Sequence, residues 1–283
     1  MHLIFLLSHL ILFGRGTYPG DDSTYTQIAN SGFTTVVLSS FYIRANGDVY
    51  SGDSRSPIIH DGRYVGDREW LRRIAMLKKS ARVEFLLEGR WYHQPPNTFD
   101  FIRHWADSST TDTLYNICKV FKEDLGADAL CIDDESVYDS PSIIRLGTVI
   151  GQLGMHMTLC PFTNEAYWKA ILDGSAPGLV DGVYLQCYDG GTGNTPGPWA
   201  QQLGTPVYPI FLCRGAFSTC GASHGSEPVD SIRAMMGDFK KEYPGLNGGA
   251  IWQMADIKSF VSMGCAPITV EGYLKELKNA LKP

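Results

Sequence analysis

The stretch Asp128-Ala129-Leu130-Cys131-Ile132-Asp133-Asp134-Glu135 decides the reading of this chain. Its apolar half has the length and composition of a buried strand, and its acidic end delivers carboxyl groups to the place where that strand stops. Successive side chains of a strand alternate faces, so Cys131, Asp133 and Glu135 point one way while Ile132 and Asp134 point the other. Two carboxylates on one face, about 6.5 to 7 Å apart along the strand, each raise the other's cost of ionisation. A proton held between such a pair suits a general acid working near neutral pH.

Apolar runs of strand length recur on both sides of this one. With Ala129–Asp134 counted as the fourth, the others are Leu3–Ser8, Thr34–Ser39, Arg82–Leu87, Met157–Cys160, Gly182–Tyr188, Pro206–Leu212 and Ala250–Met254. Amphipathic stretches lie between them, at Arg68–Lys79, Thr113–Leu125, Ser142–Leu153, Glu165–Leu172, Asp230–Tyr243 and Glu271–Leu281. Asp67, Gly126, Pro141 and Gly154 supply boundary signals for the first three. Alternation of this kind predicts an α/β fold, and eight units in 283 residues predict a single (β/α)8 TIM barrel over residues 1–283 as one catalytic domain. In that fold the site lies at the C-terminal ends of the strands. The Gly- and Pro-rich run from Asp189 to Pro198 is read as a long loop roofing that face. No Gly-x-Gly-x-x-Gly follows a strand and no Walker-type loop occurs, which removes the main support for nucleotide binding.

Composition narrows the partners. The net charge is -6, and no basic cluster is longer than Lys78-Lys79 or Lys240-Lys241, so nucleic acid is excluded as a partner. The N-terminal run Met1–Phe13 lacks a preceding Lys or Arg and a small-x-small cleavage site, and it is too short to span a bilayer. It is read as the first buried strand, with no membrane partner. Cys131, Cys160, Cys187 and Cys213 fall near strand ends, yet no Cys-x-x-Cys occurs among the seven cysteines. They are read as small buried hydrophobes, with no metal and no other cofactor. Cys213 and Cys220 share one loop and can pair in an oxidising compartment. No Asn-x-Ser/Thr sequon is present, and the sequence leaves secreted and cytoplasmic locations, and the oligomeric state, open.

Three motifs fall at strand ends: Asp128-x-x-Cys131-x-Asp133-x-Glu135, Gln186-Cys187-Tyr188-Asp189, and Gly248-Gly249-Ala250-Ile251-Trp252. Together they resemble the family 18 glycoside hydrolases, the chitinases and endo-β-N-acetylglucosaminidases, over most of the barrel. The resemblance implies a retaining, substrate-assisted cleavage of β-1,4 linkages beside N-acetylglucosamine, with a glycan containing that sugar as partner. It implies Glu135 as proton donor and then base, with the substrate's own acetamido oxygen as nucleophile. It further implies Asp133 as the group that orients the acetamido N–H, Tyr188 as donor to the acetamido oxygen, Asp189 beside the same sugar, and Trp252 as its apolar floor. Asp134 before Glu135 is similar to some of the endo-β-N-acetylglucosaminidases.

Further substrate-binding candidates are Gln186 in the strand-six motif, Asn164 after the fifth strand, Arg214 after the seventh, and Trp91 after the third. Two departures stand out. Cys131 occupies the place of a third in-line Asp, and Phe85-Leu86-Leu87-Glu88-Gly89-Arg90 replaces the family's Ser-x-Gly-Gly, bringing the extra carboxylate of Glu88 to the site. They keep two alternatives open: a barrel that binds N-acetylated glycans without cleaving them, and one repurposed for a small metabolite.

Overall fold

All nine residues of the strand Thr35–Ile43 are buried, which is the signature of a strand covered on both faces. The computed structural model describes residues 8–52, 54–90, 97–107, 112–213, 220, 227–265 and 268–283. Its strands are β1 (His9–Gly14), β2 (Thr35–Ile43), β3 (Val49–Ser51), β4 (Ile59–His60), β5 (Arg63–Tyr64), β6 (Arg82–Glu88), β7 (Ala129–Asp133), β8 (His156–Leu159), β9 (Val180–Gln186), β10 (Tyr208–Leu212) and β11 (Gly248–Trp252). Its helices are α1 (Asp22–Ser31), α2 (Arg68–Leu77), α3 (Thr98–Asp107), α4 (Asp112–Glu123), α5 (Ser140–Gln152), α6 (Glu165–Gly174), α7 (Pro196–Leu203), α8 (Val229–Glu242), α9 (Met254–Ser262) and α10 (Val270–Ala280).

Eight strands pair side by side in the order β1-β2-β6-β7-β8-β9-β10-β11, and β11 pairs back onto β1, all in parallel. This is the closed (β/α)8 barrel that the alternating pattern predicts. The short strands β3, β4 and β5 continue antiparallel from the end of β2, outside the ring.

Alternation along each strand divides the apolar residues into two separate cores. One set fills the barrel: Ile11, Phe13, Val37, Leu86, Cys131 and Ile210 are among its members. The intervening residues, such as Leu12, Val36, Phe85, Leu130 and Ile132, pack between the barrel and the helices. The N-terminal end of the ring is closed by polar groups. Glu84 is 0% exposed, lies 2.8 Å from Arg82 Nε, and accepts from Thr158 Oγ1 and Tyr184 OH at 2.8 and 3.0 Å. Arg82 in turn grips Asp181 with two bonds of 2.6 and 2.8 Å. A buried charge persists only when paired and hydrogen-bonded in this way.

Four readings of the sequence are corrected. The strand that takes the first place in the ring is His9–Gly14, one residue past the end of the predicted Leu3–Ser8, of which residues 3–7 lie outside the described residues. An apolar run longer than a strand has no phase of its own; the ladder to β2, pairing Ile11 with Thr35 and Gly14 with Leu38, supplies it. The Asp189–Pro198 loop is shorter than expected, because Asp189–Gly191 forms a 3₁₀ turn and Pro196 opens α7 at a position where its missing N–H costs nothing. β2 runs four residues past the predicted Ser39, as far as Ile43.

The fourth correction concerns cysteine pairing. Cys220 is bonded to Cys265, Cα to Cα 5.2 Å, while Cys213 is a buried thiol whose Sγ donates to Gln253 O at 3.7 Å. Closing a loop over a sequence separation of 45 restricts the unfolded chain, which on entropic grounds is worth about 4 kcal/mol. Replacing both Cys220 and Cys265 by Ser is therefore expected to lower the unfolding midpoint measured by denaturant titration. The wild type in reductant should show the same loss, and an unchanged midpoint in both would refute it.

Candidate active site

β7 ends at Asp133, and the turn that follows is built around Asp134. Its side chain points to the helix layer, is 1% exposed, and accepts from the backbone N–H groups of Ser136, Val137 and Tyr138 at 3.1, 2.9 and 2.8 Å. Tyr167 OH on α6 donates to the same carboxylate at 2.9 Å, and the Tyr167 ring packs edge-on against Tyr138. With four donors Asp134 is filled, so the substrate-binding role expected for it gives way to a structural one. It is the anchor of the turn that carries Glu135. Asp134→Ala is expected to cost about 3 kcal/mol in denaturant unfolding, because three partly buried backbone N–H groups and the buried Tyr167 hydroxyl lose their acceptor. A loss under about 1 kcal/mol would contradict this account of the turn.

Asp133 points into the barrel mouth and is 5% exposed, whereas Glu135, two residues on, is exposed to solvent. Burial, then the charge of Glu135 and that of Glu88, pushes the Asp133 carboxyl well above the usual carboxylate range. Glu88 arrives there because it is the ladder partner of Asp133 on β6. One of its oxygens, Oε2, accepts from Tyr42 OH at 2.8 Å. Gln186, at the end of β9, reaches both carboxylates: its Nε2 lies 3.3 Å from Asp133 Oδ1 and 3.0 Å from Glu135 Oε1. Below Asp133, Cys131 and Cys160 are buried free thiols. Burial, reinforced by the neighbouring Cys131 and Asp133, pushes the Cys160 thiol far above its usual range, so it carries no charge at neutral pH.

The aromatic wall stands opposite. Trp252, half-buried at the end of β11, lies with its ring 6.4 Å from that of Tyr188 and nearly parallel to it, and 5.2 Å from Phe13. The Ser39–Ser40 peptide bond, within β2, and the Trp252–Gln253 bond, at the end of β11, are cis. Tyr188 is buried, and burial keeps its phenol far above its usual range and hence a neutral O–H donor. A neutral donor, a buried acid whose carboxyl is pushed above its usual range and an exposed acid thus share one mouth. That set can place a proton on a leaving oxygen and stabilise charge developing beside it.

Asp133, Glu135, Glu88, Gln186, Tyr188 and Trp252 are brought together as expected of strand ends. Asp189 is exposed on the 3₁₀ turn with a φ of 46°, adjacent to Tyr188. Asn164 is exposed at the left-handed N-terminus of α6, and no hydrogen bond joins its side chain to the carboxylates. Trp91 and Arg214 lie outside the described residues. Tyr42 and Tyr167 were missed from the sequence. Continuation of the apolar run past Ser39 through Phe41-Tyr42-Ile43 is the signal for the first; none exists for the second. Among the described residues no three His, Cys, Asp or Glu groups gather as a metal site, and no helix is long and apolar enough to cross a membrane.

No protein-family model matches the sequence, and no curated protein matches it. Solved structures do match in three dimensions. A chitinase from Chromobacterium violaceum ATCC 12472 superposes with a TM-score of 0.60 at 15% identity, covering 97% of this chain and 100% of that one. The spore cortex-lytic enzyme SleL of Bacillus cereus gives 0.59 at 14% identity, over 96% of this chain and 74% of that one. A mutant class V chitinase from Nicotiana tobaccum in complex with NAG4 gives 0.58 at 10% identity, over 96% and 98%. At such identities the likeness is one of fold: the chain resembles the family 18 chitinase barrels from end to end.

Proposed function

We propose that the chain is a glycoside hydrolase that cleaves β-1,4 linkages beside N-acetylglucosamine with retention, through substrate assistance. The observation that carries this reading is the pairing of a buried Asp133, its carboxyl pushed above the usual range, with an exposed Glu135 two residues on, under the Tyr188–Trp252 wall. Glu135 protonates the glycosidic oxygen, and the acetamido oxygen of the substrate closes on the anomeric carbon to give an oxazolinium ion. Glu135, now a carboxylate, takes a proton from the water that opens the ring. Asp133 orients the acetamido N–H and offsets the charge on the oxazolinium, and Tyr188 donates to the acetamido oxygen. Trp252 offers an apolar face to the sugar ring. The complex of a similarly folded chitinase with NAG4 supports an N-acetylglucosamine oligomer as the substrate class.

The test is incubation with chitooligosaccharides and with a high-mannose glycopeptide across a range of pH. Product from either, absent in Glu135→Gln, supports the reading; no product from both overturns it. A second reading rests on Cys131, which leaves Asp133 without an acid below it. It is a barrel that binds N-acetylated glycans without cleaving them, and calorimetry showing binding with no turnover is its mark.

A further inference from the structure

Gln186 Nε2 sits where four acceptors converge. Besides Glu135 Oε1 and Asp133 Oδ1, Cys160 O lies 3.3 Å away and Cys160 Sγ 3.9 Å. An amide oxygen placed there would face three other oxygens, so the chemistry of the surroundings fixes the nitrogen inward. The residue is held on its other sides too. Its backbone N–H donates to Pro161 O at 2.8 Å, and its carbonyl accepts from Asn194 Nδ2 at 3.0 Å. Gly191 passes so close that a Cβ there would lie 2.1 Å from that carbonyl oxygen, so this turn admits no side chain. The side chain has little freedom to leave the carboxylates, being 6% exposed.

A primary amide has two N–H donors, and carboxylates outcompete a carbonyl or a thiol for them because of their charge. Among the described residues Gln186 is the one side chain that hydrogen-bonds Asp133. We propose that Gln186 is a positioning residue that clips Asp133 and Glu135 together through one nitrogen and decides which of their oxygens carries the proton. Because Glu135 Oε1 and Asp133 Oδ1 already accept from the amide, protons are directed to Oε2 and Oδ2. The clip thereby turns the acidic hydrogen of Glu135 outward and prevents the two carboxyl groups from locking a proton between them. This chain has Cys131 where another acid could have shared that task, and the amide takes its place. The effect on turnover rests on the reading under Proposed function, but the clip itself concerns carboxyl protonation, which is measurable without any substrate.

The experiment compares the wild type with Gln186→Met, which keeps length and loses both donors, and with Gln186→Leu in case the first does not fold. Carboxyl titration is followed by ¹³C NMR on protein labelled in Asp and Glu, and the pH-rate profile is measured on a chitooligosaccharide. An N–H donated to a carboxylate favours its charged form, so loss of the clip should move the Asp133 and Glu135 titrations up by about one unit or more. In the rate profile kcat should fall about ten- to hundredfold with KM nearly constant, and both limbs should move the same way. Gln186→Glu should regain kcat on the acid side only, where its own carboxyl is protonated and again donates.

Titrations that stay in place in a folded Met or Leu variant overturn the clip. A rise in KM with an unmoved pH profile also overturns it, since that marks a plain substrate contact. If the wild type cleaves no glycan, the hydrolase reading fails and the titrations alone decide the clip, up for support and unmoved for refutation.

Discussion

Glu135→Gln is expected to lower kcat on a chitooligosaccharide by about 10²- to 10⁴-fold while leaving KM and the unfolding midpoint near their wild-type values. Glu135 lies beyond the last residue of β7 and is exposed, so no packing depends on it. Gln has the same shape and can still accept from Gln186 Nε2 through its oxygen, but it has no proton to give at any accessible pH. The substitution therefore separates chemistry from architecture. Steady-state kinetics over several pH values, with thermal unfolding alongside, is the measurement. A variant retaining more than about a tenth of wild-type kcat would remove Glu135 as the acid.

Asp133→Asn is expected to abolish turnover on a similar scale and, at the same time, to make the protein more stable near neutral pH. The two effects have one cause. Burial and the neighbouring Glu135 and Glu88 charges hold the Asp133 carboxyl well above its unfolded value. The folded state then binds the proton more tightly than the unfolded state, so stability falls as pH rises from about 4 through the folded value. Each unit of difference is worth about 1.4 kcal/mol once the pH has passed both values. Asn cannot ionise, so its stability escapes that decline. The gain in midpoint should be near zero at pH about 4 and grow toward pH 7. Glu84 and Asp256, the latter pushed up to about 6 by burial, decline in the same direction but do so in both proteins and cancel in the difference. An Asn variant that gains nothing at pH 7 would mean that Asp133 is not held protonated in the fold.

The barrel was legible because its evidence is repetitive. Each of β2 and β6 to β11 is an apolar run closed off by polar or glycine-rich sequence, and Asp67, Gly126 and Gly154 mark helix ends where expected. What escaped was whatever lacked a periodic or compositional mark. α1 reads Asp-Ser-Thr-Tyr-Thr-Gln-Ile-Ala-Asn-Ser, a poor helix former that is held by an Asp21 cap, a left-handed Gly32 and burial of Tyr25 and Ile28. α7, seeded by Pro196 and Pro198, reads as loop until Trp199 and Leu203 find a core.

In the site, alternation told which way Asp133 and Asp134 point but not what meets them. The donors that fill Asp134 come from its own turn and from Tyr167, 33 positions away, and no spacing rule encodes that. Gln186 drew notice through its neighbour Tyr188, yet its placement against both acids depends on how β9 stands across β8 from β7. The Cys220–Cys265 bond was missed for the same reason, since proximity in sequence favoured Cys213 as the partner.

Asp133 and Asp134 are the same amino acid one peptide bond apart, and the division of the barrel into an inner and an outer core gives them opposite fates. Point substitutions elsewhere in β7 leave that assignment intact. A single-residue insertion or deletion between Asp128 and Asp133 would not, because it moves every side chain beyond it to the other face. The anchor would then swing into the mouth and the acid into the helix layer. Descendants of this chain can exchange one apolar residue for another in that strand, but can hardly change its length.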